Sequence, residues 1–184
     1  MYWFNPKITY RAVIAVIILF TAILPACKPD VKETGGTLSY FDLQGYFQAN
    51  SAQLAKLNKP VLKTVVHNGI TESKKVHIDS WDRELSLFSE ADINKPAWKD
   101  SYWIQNTANT LIYKAKYPEL ETREIIINKV KDKIKSILII GYTKNLLYET
   151  KEKLTYFPDS MYRIEKFQHV KLLGVNRYDI KGVF

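Results

Sequence analysis

The sequence predicts an α+β domain, and two observations carry that expectation. Apolar residues recur at helical spacing up to about Ile93, and from Trp98 onward the period changes from 3.6 to 2, with clean alternation in several runs. The connections between the later apolar runs are short, so successive strands there must be antiparallel, because parallel neighbours need crossovers of a dozen or more residues. Helices that come first in such a chain are free to cover one face of the sheet that follows. The expected architecture is two helices and a β-hairpin followed by an antiparallel meander of about six or seven strands, with the helices packed on one face of a curved sheet.

The first helix is expected from Ser39 to Asn58. Ser39 would cap it, Asp42 would favour its macrodipole, and Tyr40, Leu43, Phe47, Leu54 and Leu57 would share one face with Asn50 as a polar gap. Pro60 stops it. A hairpin follows, Val61 to His67 and Ile70 to Ile78, because Asn68-Gly69 supplies the positive φ angles of a type I′ turn. That turn pairs His67 with Ile70, Val65 with Glu72 and Val61 with Val76, and places Val61, Val65, Ile70, Val76 and Ile78 on the inward face.

Asp79-Ser80 then starts a second helix carrying Trp81, Leu85 and Phe88, which Asn94-Lys95-Pro96 ends. Strands are expected near Ser101 to Asn106, Thr110 to Tyr117, Thr122 to Val130, Ile134 to Tyr142, Leu147 to Phe157, Met161 to Val170 and Leu172 to Val183. Runs such as Ile125-Ile126-Ile127 and Ile137-Leu138-Ile139-Ile140 are apolar in both phases, which predicts that both sheet faces are covered.

The chain ahead of the helices has a different character. Lys7 and Arg11 precede the run Ala12 to Leu24, apolar except for Thr21, which is short for a membrane span and suits the h-region of a signal peptide. Leu24-Pro25-Ala26-Cys27 closes it with the only cysteine. This stretch resembles the lipobox of a bacterial lipoprotein, with Pro25 standing where a small or β-branched residue is commoner. The resemblance implies cleavage before Cys27 and diacylation or triacylation of that residue. Residues 1–26 are then a signal peptide, 27–38 a lipidated N-terminus and flexible tether rich in Pro, Gly and charge, and 39–184 one α+β domain.

Loss of Lys7 and Arg11 lowers the net charge from +8 to +6. With Cys27 acylated no thiol remains for a disulfide, so stability must come from the core. Export and the lack of any nucleic-acid-binding module argue against nucleic acid, and anionic membrane or envelope polymers are a better use of the excess charge.

Asp92-Ile93-Asn94-Lys95-Pro96-Ala97-Trp98 and Tyr156-Phe157-Pro158-Asp159-Ser160-Met161-Tyr162-Arg163-Ile164, with the lipobox before them, resemble uncharacterised Bacteroidota lipoproteins. That resemblance implies an envelope location, in the outer membrane, and brings no activity with it.

The histidines and carboxylates offer few catalytic combinations. His77 and Asp79 are the best pair for a metal or a base held by a carboxylate, but Asp79 has a structural task at the helix start and no further donors can be named. His67 reads as a surface residue and His169 as a sheet-face residue. Glu119 and Glu121 fall in a turn, and no phosphate loop, EF-hand, nucleophile elbow or zinc helix is present.

No cofactor is expected, and Cys27 is the one site named. Three functional classes remain open. The first is a non-enzymatic interaction or scaffold module anchored to the membrane through its lipid, docking an envelope protein through a sheet edge or an aromatic patch at Trp98, Tyr102 and Trp103. The second is a carrier of a hydrophobic ligand in a curved-sheet cavity. The third is a protein acting on envelope glycans, for which no carboxylate pair can be assigned.

Overall fold

The computed structural model describes residues 38–184, so the expected signal peptide, Cys27 and all of the expected tether except Leu38 lie outside the described residues. Helix α1 spans Leu43–Leu57. Its N-cap is Asp42, not Ser39: the Asp42 carboxylate accepts the Gly45 N–H at 2.8 Å, and Tyr40 and Phe41 stay outside the helix because Asn94 holds them. The Asn94 side chain accepts from Tyr40 N–H and donates to Phe41 C=O, each at 3.0 Å. A residue read as a helix stop is thus also the clamp on the chain's entry. Asn58 closes α1 in the left-handed conformation, φ 43°.

Strands β1 (Val61–His67) and β2 (Ile70–Val76) form the expected hairpin, with His67 opposite Ile70, Val65 opposite Glu72 and Val61 opposite Val76. The second helix breaks into α2 (Trp81–Glu84) and α3 (Ser86–Glu90), because Leu85 leaves helical geometry at φ −101°, ψ 12°. Ser80 caps α2 through the Arg83 N–H. The break leaves Trp81, Leu85 and Phe88 all buried.

A 3₁₀ turn (Pro96–Trp98) leads into seven strands: β3 (Tyr102–Asn106), β4 (Thr110–Ala115), β5 (Thr122–Val130), β6 (Lys133–Lys144), β7 (Tyr148–Phe157), β8 (Met161–Val170) and β9 (Gly174–Val183). Each pairs antiparallel with the next, as the short connections require. The sheet is larger than this meander. Strand β1 pairs along β9, Leu62 to Val183 and His67 to Tyr178, so the order is β2-β1-β9-β8-β7-β6-β5-β4-β3. All nine strands belong to one open antiparallel sheet, and the fold is mostly sheet with a few short helices.

The core lies between the helices and one face of the sheet. From the helices come Leu43, Phe47, Leu54, Trp81, Leu85 and Phe88; from the strands Ile125, Ile127, Ile137, Ile139, Leu154, Tyr156, Tyr162 and Ile164. Phe47, Phe88 and Tyr156 meet with ring centroids 5.0 to 5.9 Å apart. Asn50, the polar gap in the α1 face, accepts the Tyr156 hydroxyl at 3.2 Å. Burial pushes the Tyr156 hydroxyl well above its ordinary pKa, so it stays a donor.

Two expected core positions are exposed. Leu57 is 51% exposed at the end of α1, and Ile70 is 72% exposed at the hairpin turn, where β1 and β2 extend past the helices. The hairpin's inward face is therefore buried at Val61 and open at Ile70. Among the described residues no helix is long and apolar enough to cross a membrane.

Candidate interaction surface

Antiparallel register puts directly opposed residues on the same face of a sheet. The helix face carries the core side chains, so the alternate residues point the other way. Among the described residues no element covers that second face. Ile112, Ile126 and Leu138 lie in register across it, with Ile140, opposite Glu124, next to them on β6, all four half-buried. The expectation that both faces are covered holds for the helix side only.

This uncovered face carries an excess of positive charge. By register and bulge geometry Lys75, Lys114, Arg123, Lys144, Lys151, Lys153, Arg163, Arg177 and Lys181 point here, against Glu124, Glu149, Glu165 and Asp179. Two rows of side chains organise it. In one, Arg163 grips Asp179 with both ends of its guanidinium, Nε to Oδ1 at 2.9 Å and Nη2 to Oδ2 at 2.7 Å. Glu165 Oε1 lies 3.5 Å from the same Nη2, and Lys153 Nζ lies 3.3 Å from Glu165 Oε2. That Oε2 is buried and, among the described residues, receives no aligned hydrogen bond.

The other row alternates cations with aromatic rings across five strands: Arg123, Tyr142, Lys151, Phe167 and Arg177. Register pairs Tyr142 with Lys151, Lys151 with Phe167, and Phe167 with Arg177. Arg123 joins through a β-bulge. Thr122 pairs with Gly141 and Glu124 with Ile140, leaving Arg123 as the extra residue, and a bulge re-aims its side chain. The Arg123 guanidinium lies 5.1 Å over the Tyr142 ring, and that of Arg177 lies 5.4 Å over Phe167.

Neither Arg123 nor Arg177 has a carboxylate within ion-pair distance among the described residues. Ile140, Tyr142 and Phe167 line a trough of about 590 Å³ with largely apolar walls, together with Lys151, Lys153 and Arg177 and the carboxylates of Glu152, Glu165 and Asp179. Such a surface suits an elongated, negatively charged or mixed apolar and anionic partner.

The row of ion pairs makes a pH-dependent contribution. The Arg163 guanidinium beside Asp179 holds its carboxyl below the ordinary value of 3.8. A carboxyl depressed in the folded state stabilises above its unfolded pKa, and that contribution is lost as pH falls through the folded value. Both partners are about a third exposed, so solvent limits the effect to up to about 1 kcal/mol. Asp179→Asn is therefore expected to lower the urea midpoint near neutral pH and to match the parent chain well below pH 3.8. An equal deficit at both pH values would rule out this origin.

The residues singled out in the sequence take separate places. Trp98 and Tyr102 belong to the core margin, rings 6.4 Å apart, and the Tyr102 hydroxyl donates to Thr122 C=O at 2.9 Å. Trp103 points to the uncovered face, 66% exposed, with Lys116 4.6 Å from its ring. The expected aromatic patch is therefore split between two faces.

His77 and Asp79 are exposed in the loop after β2, and no group of three or more His, Cys, Asp and Glu side chains among the described residues is placed to hold a metal. His67 stacks on Tyr178 at 4.3 Å, and His169 is exposed on a strand. Glu119 and Glu121 are exposed loop residues. Sequence reading missed the cation and aromatic row because its members sit on five strands; the bulge at Arg123 and the register had to be known first.

No family model, curated protein or solved structure matches this chain.

Proposed function

We propose that this chain is a membrane-anchored envelope lipoprotein whose sheet domain is a non-enzymatic interaction module, docking another envelope component through the uncovered face of the sheet. The lipobox ending at Cys27 supports the anchor. The observation that carries the docking role is the uncovered face itself, where Arg123 and Arg177 stand without carboxylate partners among the described residues beside a trough with apolar walls. Arg177 is exposed, and Arg123, whose guanidinium also donates to Tyr117 C=O at 3.2 Å, is held in place over Tyr142, so both are available to a partner at little cost in rearrangement.

The test is site-specific photocrosslinking in the native cells, with the crosslinker at Phe167 on the uncovered face and at Lys56 on the outer side of α1. A discrete adduct from position 167 and none from position 56 is the expected result. Equal adducts from both, or none from either, would count against a partner on this face. Intact mass of the purified chain tests the anchor separately, since residues 27–184 plus acyl chains are expected.

A second reading, a carrier of a hydrophobic ligand, draws on the same trough, whose 590 Å³ falls within the range of small-molecule sites. Native mass spectrometry that finds a small bound mass surviving removal of the anchor would favour the carrier. A stoichiometric second protein would favour the module.

A further inference from the structure

Two neighbouring turns at one end of the sheet present large aliphatic side chains to solvent. Between β6 and β7 the chain turns through Asn145, Leu146 and Leu147, and between β8 and β9 through Lys171, Leu172 and Leu173. Leu146 is 83%, Leu147 68%, Leu172 94% and Leu173 80% exposed. The turns are tied together, since the Lys171 N–H donates to Leu147 C=O at 3.0 Å and Tyr148 pairs with Val170.

Each turn is also built internally. The Asn145 carbonyl Oδ1 accepts from the Leu147 and Tyr148 N–H groups at 2.8 and 2.9 Å, and the Leu173 N–H donates to Val170 C=O at 3.1 Å. The backbone therefore holds the leucines outward. Turns of this kind are ordinarily occupied by Gly, Asn, Asp or Ser, and a contiguous group of exposed apolar side chains marks a contact surface.

The surroundings say which contact. From Thr143 to Tyr148 and from Lys166 to Tyr178 there is no carboxylate. Lys144 and Lys171 are exposed beside the leucines, and Tyr148 and Tyr178 are half-buried behind them. Aliphatic tips backed by lysine and tyrosine match the layering of a bilayer boundary, where acyl chains give way to anionic headgroups that Lys and Tyr favour. A second copy of the chain on the same patch would set lysines against lysines.

We infer that the paired leucine turns form a wedge that inserts into the interfacial layer of a membrane bearing anionic headgroups. The inference rests on the lipoprotein reading for the supply of that membrane. It adds an orientation. Tyr40, where the chain enters the domain, packs 5.5 Å from Tyr102, the first residue of β3, and in an antiparallel sheet the start of β3 lies at the same end as these turns. The entry therefore adjoins a strand end of the same sense as the wedge, and inserting the wedge turns those strand ends of β6 to β9 toward the membrane and leaves the uncovered face open sideways.

Acylation of Cys27 would consume the native thiol, so Leu172→Cys gives one site for an environment-sensitive dye. Asp159→Cys, on the turn between β7 and β8, gives a control at the opposite end, where the parent side chain is 86% exposed. Each full chain is reconstituted into vesicles of phosphatidylethanolamine and phosphatidylglycerol. At position 172 the dye emission is expected to shift to the blue, iodide quenching to fall severalfold, and lipids brominated in their acyl chains to quench; at position 159 the dye stays aqueous. Adding Leu146→Ser, Leu147→Ser and Leu173→Ser is expected to return the dye at position 172 to the aqueous signal. A dye at 172 as accessible as that at 159, or one already shielded without vesicles, overturns the wedge. Dye uptake by Cys27 of the parent chain overturns the anchor alone.

Discussion

Phe47→Ala is expected to lower the unfolding free energy by about 3–5 kcal/mol, the range for truncating a large buried aromatic. Phe47 is fully buried, with the rings of Phe88 and Tyr156 both 5.0 Å away and that of Tyr46 at 5.3 Å. These rings come from α1, α3 and β7, so the void could close only if helix and sheet moved together. A domain of this size is stable by roughly 5–15 kcal/mol, which makes the loss a large share of the whole. Leu57→Ala supplies the comparison, because Leu57 was assigned to the same helix face and is half exposed. Urea denaturation should show it within about 0.5 kcal/mol of the parent chain. Similar losses for the two variants would mean that the Phe47 site is not the packed centre of the core.

Gly182→Ala is the second large effect, expected to cost about 3–5 kcal/mol as overpacking and a lost buried hydrogen bond combine. A methyl group at position 182 would overlap the ring of Tyr162, which sits directly opposite on β8. Tyr162 has nowhere to go. It is fully buried, its ring centroid is 6.4 Å from Trp81 and 6.3 Å from Phe184, and its hydroxyl donates to Glu84. Glu84 in turn holds Lys63 Nζ at 2.6 Å, so displacing the ring disturbs a link between α2 and β1. Because both changes act on one contact, Tyr162→Leu should recover part of the loss in the Gly182→Ala background, and thermal melts of the two single variants and the double variant would show it. Strict additivity would remove the steric explanation.

Local patterns were the legible part of this fold. Asn68-Gly69 fixed the hairpin register because Asn-Gly takes two adjacent positive φ angles at low cost, whereas the runs at 125–127 and 137–140, apolar in both phases, did not say which phase would face the core. What could not be read was non-local. Nothing in Val61 to His67 announces that it will lie beside β9, more than a hundred residues later, and that pairing turns a seven-stranded meander into a nine-stranded sheet. The helix cap moved from Ser39 to Asp42 for a similar reason, since Asn94 holds the residues between them from a distance.

The candidate surface was legible only as an excess. Ile126, Leu138 and Ile140 showed apolar character in the second phase of the strands, and the lysines showed positive charge, but their union in one face depends on cross-strand register. Arg123 is the sharpest case. A one-residue bulge, invisible in the alternation, decides that its guanidinium meets Tyr142.

The pairing of β1 with β9 also governs when the domain can fold. The first hairpin of the chain finds its place only beside the last strand, so no N-terminal portion emerging from a ribosome or a translocation channel holds a complete sheet. Contacts of such high sequence separation are slow to form, because a long loop must close before the pairing rewards it. A polypeptide with this wiring cannot complete its sheet until β9, Gly174–Val183, is available to receive β1.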